Sequence, residues 1–389
     1  MKTGLEEQFV IKNNRKMALG YTTGSCATAA TKAAIAMLLS GKSVPYVRID
    51  TPKGISLNLE VLEAKREGDS ASCAIRKDGG DDPDVTDGAL VFSKVTLGEK
   101  GQELKIYLDG GVGVGRITKP GLEQEIGEAA INKVPRQMIT NAVAEVCEKY
   151  HYKGHVFVEI SVPEGEELAK KTFNPRLGIM GGISILGTKG IVEPMSEEAL
   201  IASIRLEMSM HRNNGADYIV IAPGNYGTTY LSNHFPVNLE KVVKCSNFVG
   251  ETIDMAVELG YKGVLFVSHI GKFIKVAGGI MNTHSRNSDA RMEILASHAL
   301  MAGADIETLK EVLAAVTTEE GLTILKKKGY LDQTMEPIMK KIHFYLNNRA
   351  YGNLELGILL FSNVYGELGR IGDVEGLLQK SKAWMEGQL

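Results

Sequence analysis

The chain has 389 residues, 44% of them hydrophobic and 23% charged, enough for a sizeable core and for more than one domain. A net charge of −3 gives no general attraction to nucleic acid or anionic lipid. No apolar run reaches the roughly 18 residues of a membrane span, and the opening MKTGLEEQFVIKNNRK lacks the apolar centre of a signal peptide. Cys26, Cys73, Cys147 and Cys245 stand far apart with no CxxC pair, which argues against a disulfide framework or structural zinc and predicts a soluble protein of the reducing cytoplasm.

In chain order, GYTTGSCATAATKAA (Gly20 to Ala34) sets small hydroxyl residues before an alanine-rich helix. Thr22, Thr23 and Ser25 are good N-caps, and free N–H groups at a helix start attract anionic or strongly polar groups. Ala27, Ala29, Ala30, Ala33 and Ala34 allow close approach either by a neighbouring strand or by a flat ligand. Residues 46–78 alternate and turn like an antiparallel meander, and 89–111 continue it as two more strands. A helix is predicted over 134–150, with Pro135 near its start and an apolar stripe at Met138, Ile139, Val143 and Val146. The strand HVFVEISVP follows. Residues 1–165 thus read as an α+β domain.

Residues 166–389 read as an α/β domain with a mostly parallel sheet. DYIVIAPG, KVVKC and GVLFVSH are short apolar runs separated by helical segments, and LELGILLFS is a last strand. The glycine-rich TFNPRLGIMGGISILGTKGIV, short of helical period, marks the boundary region.

Several blocks could carry chemistry. DGGDDPDVTDG (Asp78 to Gly88) does not match the EF-hand pattern, so a hydrogen-bonding turn around Pro83 is favoured over a calcium site. Asp82 within it is a candidate catalytic carboxylate. DGGVGVGRITKPGL (Asp109 to Leu122) lacks both the dinucleotide fingerprint and the P-loop, but offers glycines beside Arg116 and Thr118; a mobile hairpin is the alternative. Ligands in open α/β sheets bind beyond the carboxyl ends of strands. Gly224, Asn225, Tyr226 and Gly227, with Ser246 and Asn247 after the next strand, are therefore candidates for a nucleotide-like cofactor. In GGIMNTHSRNSDARMEILASHA, the residues Asn282, His284, Arg286, Asp289 and Arg291 crowd the approach to a helix. His284 and Asp289 are catalytic candidates, although a lone histidine is more often a hydrogen-bonded structural group. No histidine spacing suits a metal. Arg116, Arg136, Arg286 and Arg291 adjoin glycine, proline or hydroxyl residues, and arginine forks suit carboxylates and phosphates. The inferred ligand is sizeable, anionic and held by loops.

Together, GYTTGSCATAATKAA, DDPDVTDGA, GVGRITKPGL with AINKVPRQMI, NPRLGIMGGISILGTKGIVEPMSEEAL, PGNYG, SNFVGE and NTHSRNSDARMEIL resemble the CbiD family, the cobalt-precorrin-5B C-1-methyltransferases of anaerobic cobalamin biosynthesis. The resemblance runs in order from about residue 16 to about residue 300. It implies methyl transfer from S-adenosylmethionine to ring carbon C-1 of a cobalt tetrapyrrole, converting cobalt-precorrin-5B to cobalt-precorrin-6A. Such a macrocycle is flat and fringed with acetate and propionate carboxylates. On this reading Thr22, Thr23, Ser25, Arg116, Thr118, Arg136, Asn282, Arg286 and Arg291 face the substrate, and the cobalt arrives with it, so the protein needs no metal of its own. Two rivals stand beside it: another nucleotide-dependent enzyme, such as one using NAD, and a tetrapyrrole carrier without turnover. A homo-oligomer is left open.

Overall fold

The alanine-rich stretch forms the Thr23–Ser40 helix in a computed structural model, which describes residues 2–12 and 14–386. Thr22 caps it by accepting the Ser25 N–H, and Gly41, at φ 71°, closes it in the left-handed conformation that glycine adopts freely. Side chains of one methyl group let this helix sit close to the Lys133–Lys149 helix and to the strands Ser70–Arg76 and Leu90–Lys100. Ala27, Ala29, Ala30, Ala33 and Ala34 are all fully buried there. A Cβ on Gly24 would lie 2.7 Å from the Pro135 ring. Thr31 shares a hydrogen bond with Ser93, and the Cys73 thiol donates to the Ala30 carbonyl. Close contact with chain, rather than with a ligand, is what the alanines serve.

Two units divide the molecule, Met1–Ser196 and Glu197–Leu389. The first holds a five-stranded sheet in the order Leu62–Glu67, Ser70–Arg76, Leu90–Lys100, Gly154–Ser161, Lys105–Gly110. Its first four strands are antiparallel neighbours, and Gly154–Ser161 pairs parallel with Lys105–Gly110. The predicted meander therefore stops at Leu90–Lys100, because a later strand takes the place beside it. The cause is visible in the residues. Val156, Val158 and Ile160 bury one whole face of Gly154–Ser161 and suit a central position, whereas Lys105–Gly110 is buried only at Gly110 and suits an edge.

The glycine-rich stretch predicted to open the second domain at residue 166 instead belongs to the first unit. Gly182–Ile183 pairs parallel with Gly113–Val114, Ile179–Met180 antiparallel with Arg116–Ile117, and Ile191–Val192 antiparallel with Gly20–Tyr21. Two-residue strands are too short to show a period. Gly113, at φ +71°, would place a Cβ 1.8 Å from the Val162 carbonyl oxygen, so backbone contact itself demands glycine there.

The second unit carries a five-stranded sheet in the order Val243–Lys244, Tyr218–Ala222, Gly263–His269, Glu355–Ser362, Gly366–Ile371. The first four strands are parallel and the last is antiparallel. Val264, Phe266, Ile358 and Leu360 are among its fully buried residues, as expected for strands covered on both faces. From Tyr218–Ala222 the chain goes first to the strand on one side, then to the strand on the other. The strand order thus reverses between Tyr218–Ala222 and Gly263–His269, which is where open α/β sheets form a crevice.

Candidate functional site at the strand ends of the second unit

Beyond Ala222 the chain passes Gly224 into the Asn225–His234 helix. Gly224 has extended backbone with open space where a side chain would stand, and no side chain caps the helix. Gly227 differs. A Cβ there would lie 2.5 Å from the Val267 carbonyl oxygen, so Gly227 serves helix-on-strand packing. Tyr226 is 63% exposed, its ring centroid 5.2 Å from that of His269.

After Lys244 the chain turns through Ser246, whose φ of 54° is left-handed, and Asn247. The Asn247 carbonyl accepts the Thr283 N–H at 2.9 Å, and Phe248 bridges Asn282. These two contacts join the strand-end loop to the polar segment 282–286, which the sequence had assigned to different ligands. Within that segment Asn282 Oδ1 accepts the His284 N–H at 3.1 Å, and His284 Nδ1 accepts the Arg286 N–H at 3.1 Å. A neutral His284 ring then carries its proton on Nε2, as a donor. Both His284 and Arg286 are exposed. Lys275 holds the segment from beneath: it is 2% exposed, and its Nζ donates to the carbonyls of Thr283 and Ser288 at 3.1 and 2.8 Å. Burial pushes the pKa of this ammonium down.

Asp289 and Arg291, expected to act on a ligand, are engaged with each other. They bind each other in a two-pronged pair, Nε–Oδ1 at 2.5 Å and the second bond at 2.9 Å. The hydrogen bonds from Arg291 hold the Asp289 carboxyl below its ordinary range, and Nε and Nη2 of Arg291 are engaged in return.

His269 and Glu319 were missed as a pair. His269 Nε2 lies 3.1 Å from Glu319 Oε1 while Nδ1 accepts the Gly271 N–H, and Glu319 also accepts from Ser362 Oγ and the Asn363 N–H. Glu319 thereby ties the ends of Gly263–His269 and Glu355–Ser362 together. The only signal was His269 closing an apolar run; nothing in sequence points to Glu319.

In the first unit, the residues expected to face a ligand are occupied by the chain. Thr23 Oγ1 bonds both the carbonyl and the N–H of Leu186, Ser25 Oγ donates to the Gly190 carbonyl, and both residues are buried. Thr22 is the helix cap. Arg116 grips Asp109 with two bonds and the Gly110 carbonyl with a third. Thr118 bonds the Gly178 carbonyl, and Arg136 donates to the carbonyls of Ile131 and Ala129. The aspartates act alike. Asp81 accepts the Ala18 N–H, Asp82 the Met195 N–H and Asp87 the Gly79 N–H. Asp84 pairs at 2.7 Å with Lys77, itself only 3% exposed, and accepts from Thr86. Burial would raise the Asp84 carboxyl, but Lys77 and Thr86 outweigh it and hold it below its ordinary value. Asp82, read as catalytic, is thus used in holding backbone. Among the described residues no cluster of three or more His, Cys, Asp or Glu could hold a metal ion, and no helix is long and apolar enough to cross a membrane.

The CbiD family matches residues 10–194, and the CbiD C-terminal domain matches residues 282–372. The chain is 49% identical to the cobalt-precorrin-5B C(1)-methyltransferase of Ruminiclostridium cellulolyticum, over 93% of each chain. To the protein of the same name from Alkaliphilus metalliredigens it is 45% identical, over 97% of this chain and 98% of that one. A crystal structure of the cobalamin biosynthesis protein (cbiD) of Archaeoglobus fulgidus is 30% identical, with a TM-score of 0.38, over 73% of this chain and 86% of that chain.

Proposed function

This chain belongs to the CbiD family, and on that footing we propose that it transfers a methyl group from S-adenosylmethionine to ring carbon C-1 of cobalt-precorrin-5B. The observation that carries the reading is the 49% identity over 93% of both chains to a protein named for that one reaction. The cobalt is part of the substrate. The setting is the cytoplasm, in keeping with four buried, unbridged cysteines whose thiols burial pushes up to about 12 at Cys26, Cys73 and Cys245 and about 11 at Cys147.

The methyl donor is assigned to the strand ends of the second unit, over Gly224, Asn225 and Tyr226 and beside Ser246 and Asn247. The space at Gly224, the helix start that no side chain caps, and the exposed Tyr226 ring support this. Asn282, His284 and Arg286, joined to Asn247 through Thr283, are assigned to the macrocycle's polar edge. When bound, the donor supplies a methyl carbon already activated by sulfonium. The chain's own task is alignment of C-1 with that carbon and exclusion of water. His284, donating from Nε2, suits a macrocycle carboxylate better than it suits a general base.

Incubating purified protein with methyl-labelled S-adenosylmethionine and cobalt-precorrin-5B, followed by mass analysis, tests the reaction: one methyl gain is expected. Binding without gain would point to a carrier, and retention of NAD with no affinity for S-adenosylhomocysteine to another enzyme class. The placement is tested by Gly224→Val, which its extended backbone tolerates. Loss of S-adenosylhomocysteine binding in calorimetry is expected, and unchanged affinity would move the donor elsewhere.

A further inference from the structure

Two lysines at this same edge are cations held by neutral groups. Lys244 Nζ donates to Asn225 Oδ1 at 3.2 Å, and Lys272 Nζ to Asn247 Oδ1 at 2.8 Å. Neither forms a salt bridge among the described residues, whereas Lys262, Lys340 and Lys380 of the same unit each pair with a carboxylate. An amide oxygen orients an ammonium without cancelling its charge, and each ammonium keeps further N–H donors for a ligand. Asn225 opens one helix and Asn247 lies just before another, Val249–Glu258, so both cations stand where helix starts add positive potential. The one acidic side chain in those two first turns is Glu251, whose charge acts on Arg349 and on Cys245. A separate observation falls at the same place. Thr283, bonded through its N–H to Asn247, is 1% exposed, yet its hydroxyl has no partner. A buried hydroxyl without a partner is costly, and a ligand acceptor would satisfy it.

We propose that Lys244 and Lys272, oriented by Asn225 and Asn247, form a carboxylate clamp. The inference rests on placing donor and macrocycle at this edge. The carboxylate has two sources of one chemistry: the amino-acid end of the donor, or an acetate or propionate arm of the macrocycle.

The test uses the full chain and its Lys244→Met, Lys272→Met and Lys272→Arg variants. Calorimetry is run with S-adenosylhomocysteine and with 5′-methylthioadenosine, which lacks the amino-acid carboxylate. Absorbance titration is run with cobyrinic acid, a cobalt corrinoid bearing free carboxylates. Each methionine variant should weaken a carboxylate ligand by about tenfold or more, and Lys272→Arg should restore most of it. Methylthioadenosine should bind all four proteins alike. A loss confined to S-adenosylhomocysteine assigns the clamp to the donor, and one confined to cobyrinic acid assigns it to the macrocycle. If both ligands bind both methionine variants as they bind the parent, the clamp is refuted. Gly224→Val separates the failures: S-adenosylhomocysteine retained by that variant refutes the placement, and lost by it while the methionine variants bind normally, refutes only the clamp.

Discussion

The two units use the same residue types in opposite ways. In the first, threonine, serine, arginine and aspartate side chains from glycine-rich loops are committed to the chain: Thr23 to Leu186, Arg136 to the carbonyls of Ile131 and Ala129, Asp82 to Met195. In the second, the loops at the strand ends keep polar groups in reserve. Lys244 and Lys272 rest on amides, Arg286 is exposed, and Thr283 has an unpartnered hydroxyl. A hydroxyl or an arginine beside glycine is therefore no sign of a ligand by itself, because the chain can offer it a carbonyl of its own. In the first unit such bonds fall on loops that also carry two-residue strands, Thr118 on Gly178 and Thr23 on Leu186.

That contrast can be broken most forcefully at Asp84. Replacing it with alanine leaves the buried Lys77 charge uncompensated and should cost roughly 3–5 kcal/mol of stability in urea unfolding, with S-adenosylhomocysteine affinity unchanged once the variant is folded. The pH dependence follows in sign. The Asp84 carboxyl is depressed in the folded protein, so its contribution is complete above the ordinary carboxylate value of about 3.9 and is lost as pH falls through the lower folded value. Acid unfolding below about pH 4 should be less steep in Asp84→Ala than in the parent.

Next in size is Ala30→Leu, which forces added methylenes between the Thr23–Ser40 helix and the sheet and should destabilise by about 1–3 kcal/mol. An unchanged unfolding midpoint would mean that the helix face has room, and the flat-ligand reading of the alanines would return. The sharpest discrimination between the units comes from two arginines. Arg286→Ala should leave stability unaltered and weaken cobyrinic acid binding by about tenfold, near 1.4 kcal/mol. Arg116→Ala, removing a half-exposed pair with Asp109, should cost below about 1 kcal/mol of stability and leave that binding alone. Equal losses of binding in both variants would erase the contrast.

The parallel core of the second unit was legible because Tyr218–Ala222 and Gly263–His269 are unbroken apolar runs followed by glycine or polar turns, and burial on both faces imposes that pattern. The alanine helix was legible for the same local reason. Chain partners were not. Thr23 meets Leu186, and Glu319 meets Ser362, across distances in sequence that no period reports. Gly224 and Gly227 look equivalent in APGNYG, yet one faces open space and the other a strand carbonyl. Lys272 follows the apolar run GVLFVSH by three residues, but only its distance to Asn247 separates it from an ordinary surface lysine.

The place of Gly154–Ser161 between Leu90–Lys100 and Lys105–Gly110 also constrains how the first unit can assemble. The two earlier strands are joined by a short connection and would most quickly zip into a hairpin, since closing a short loop costs less entropy than closing a long one. In the native sheet that hairpin is wrong: the strands must stay apart until a third arrives. On a ribosome adding about 5–20 residues per second, that third strand emerges some seconds later, after the Lys133–Lys149 helix. The helix is synthesised in the interval, and by packing with the Thr23–Ser40 helix it can give the sheet a surface to form on before its inserted strand exists. Sheet closure in this unit is therefore a non-local event that requires the later strand Gly154–Ser161.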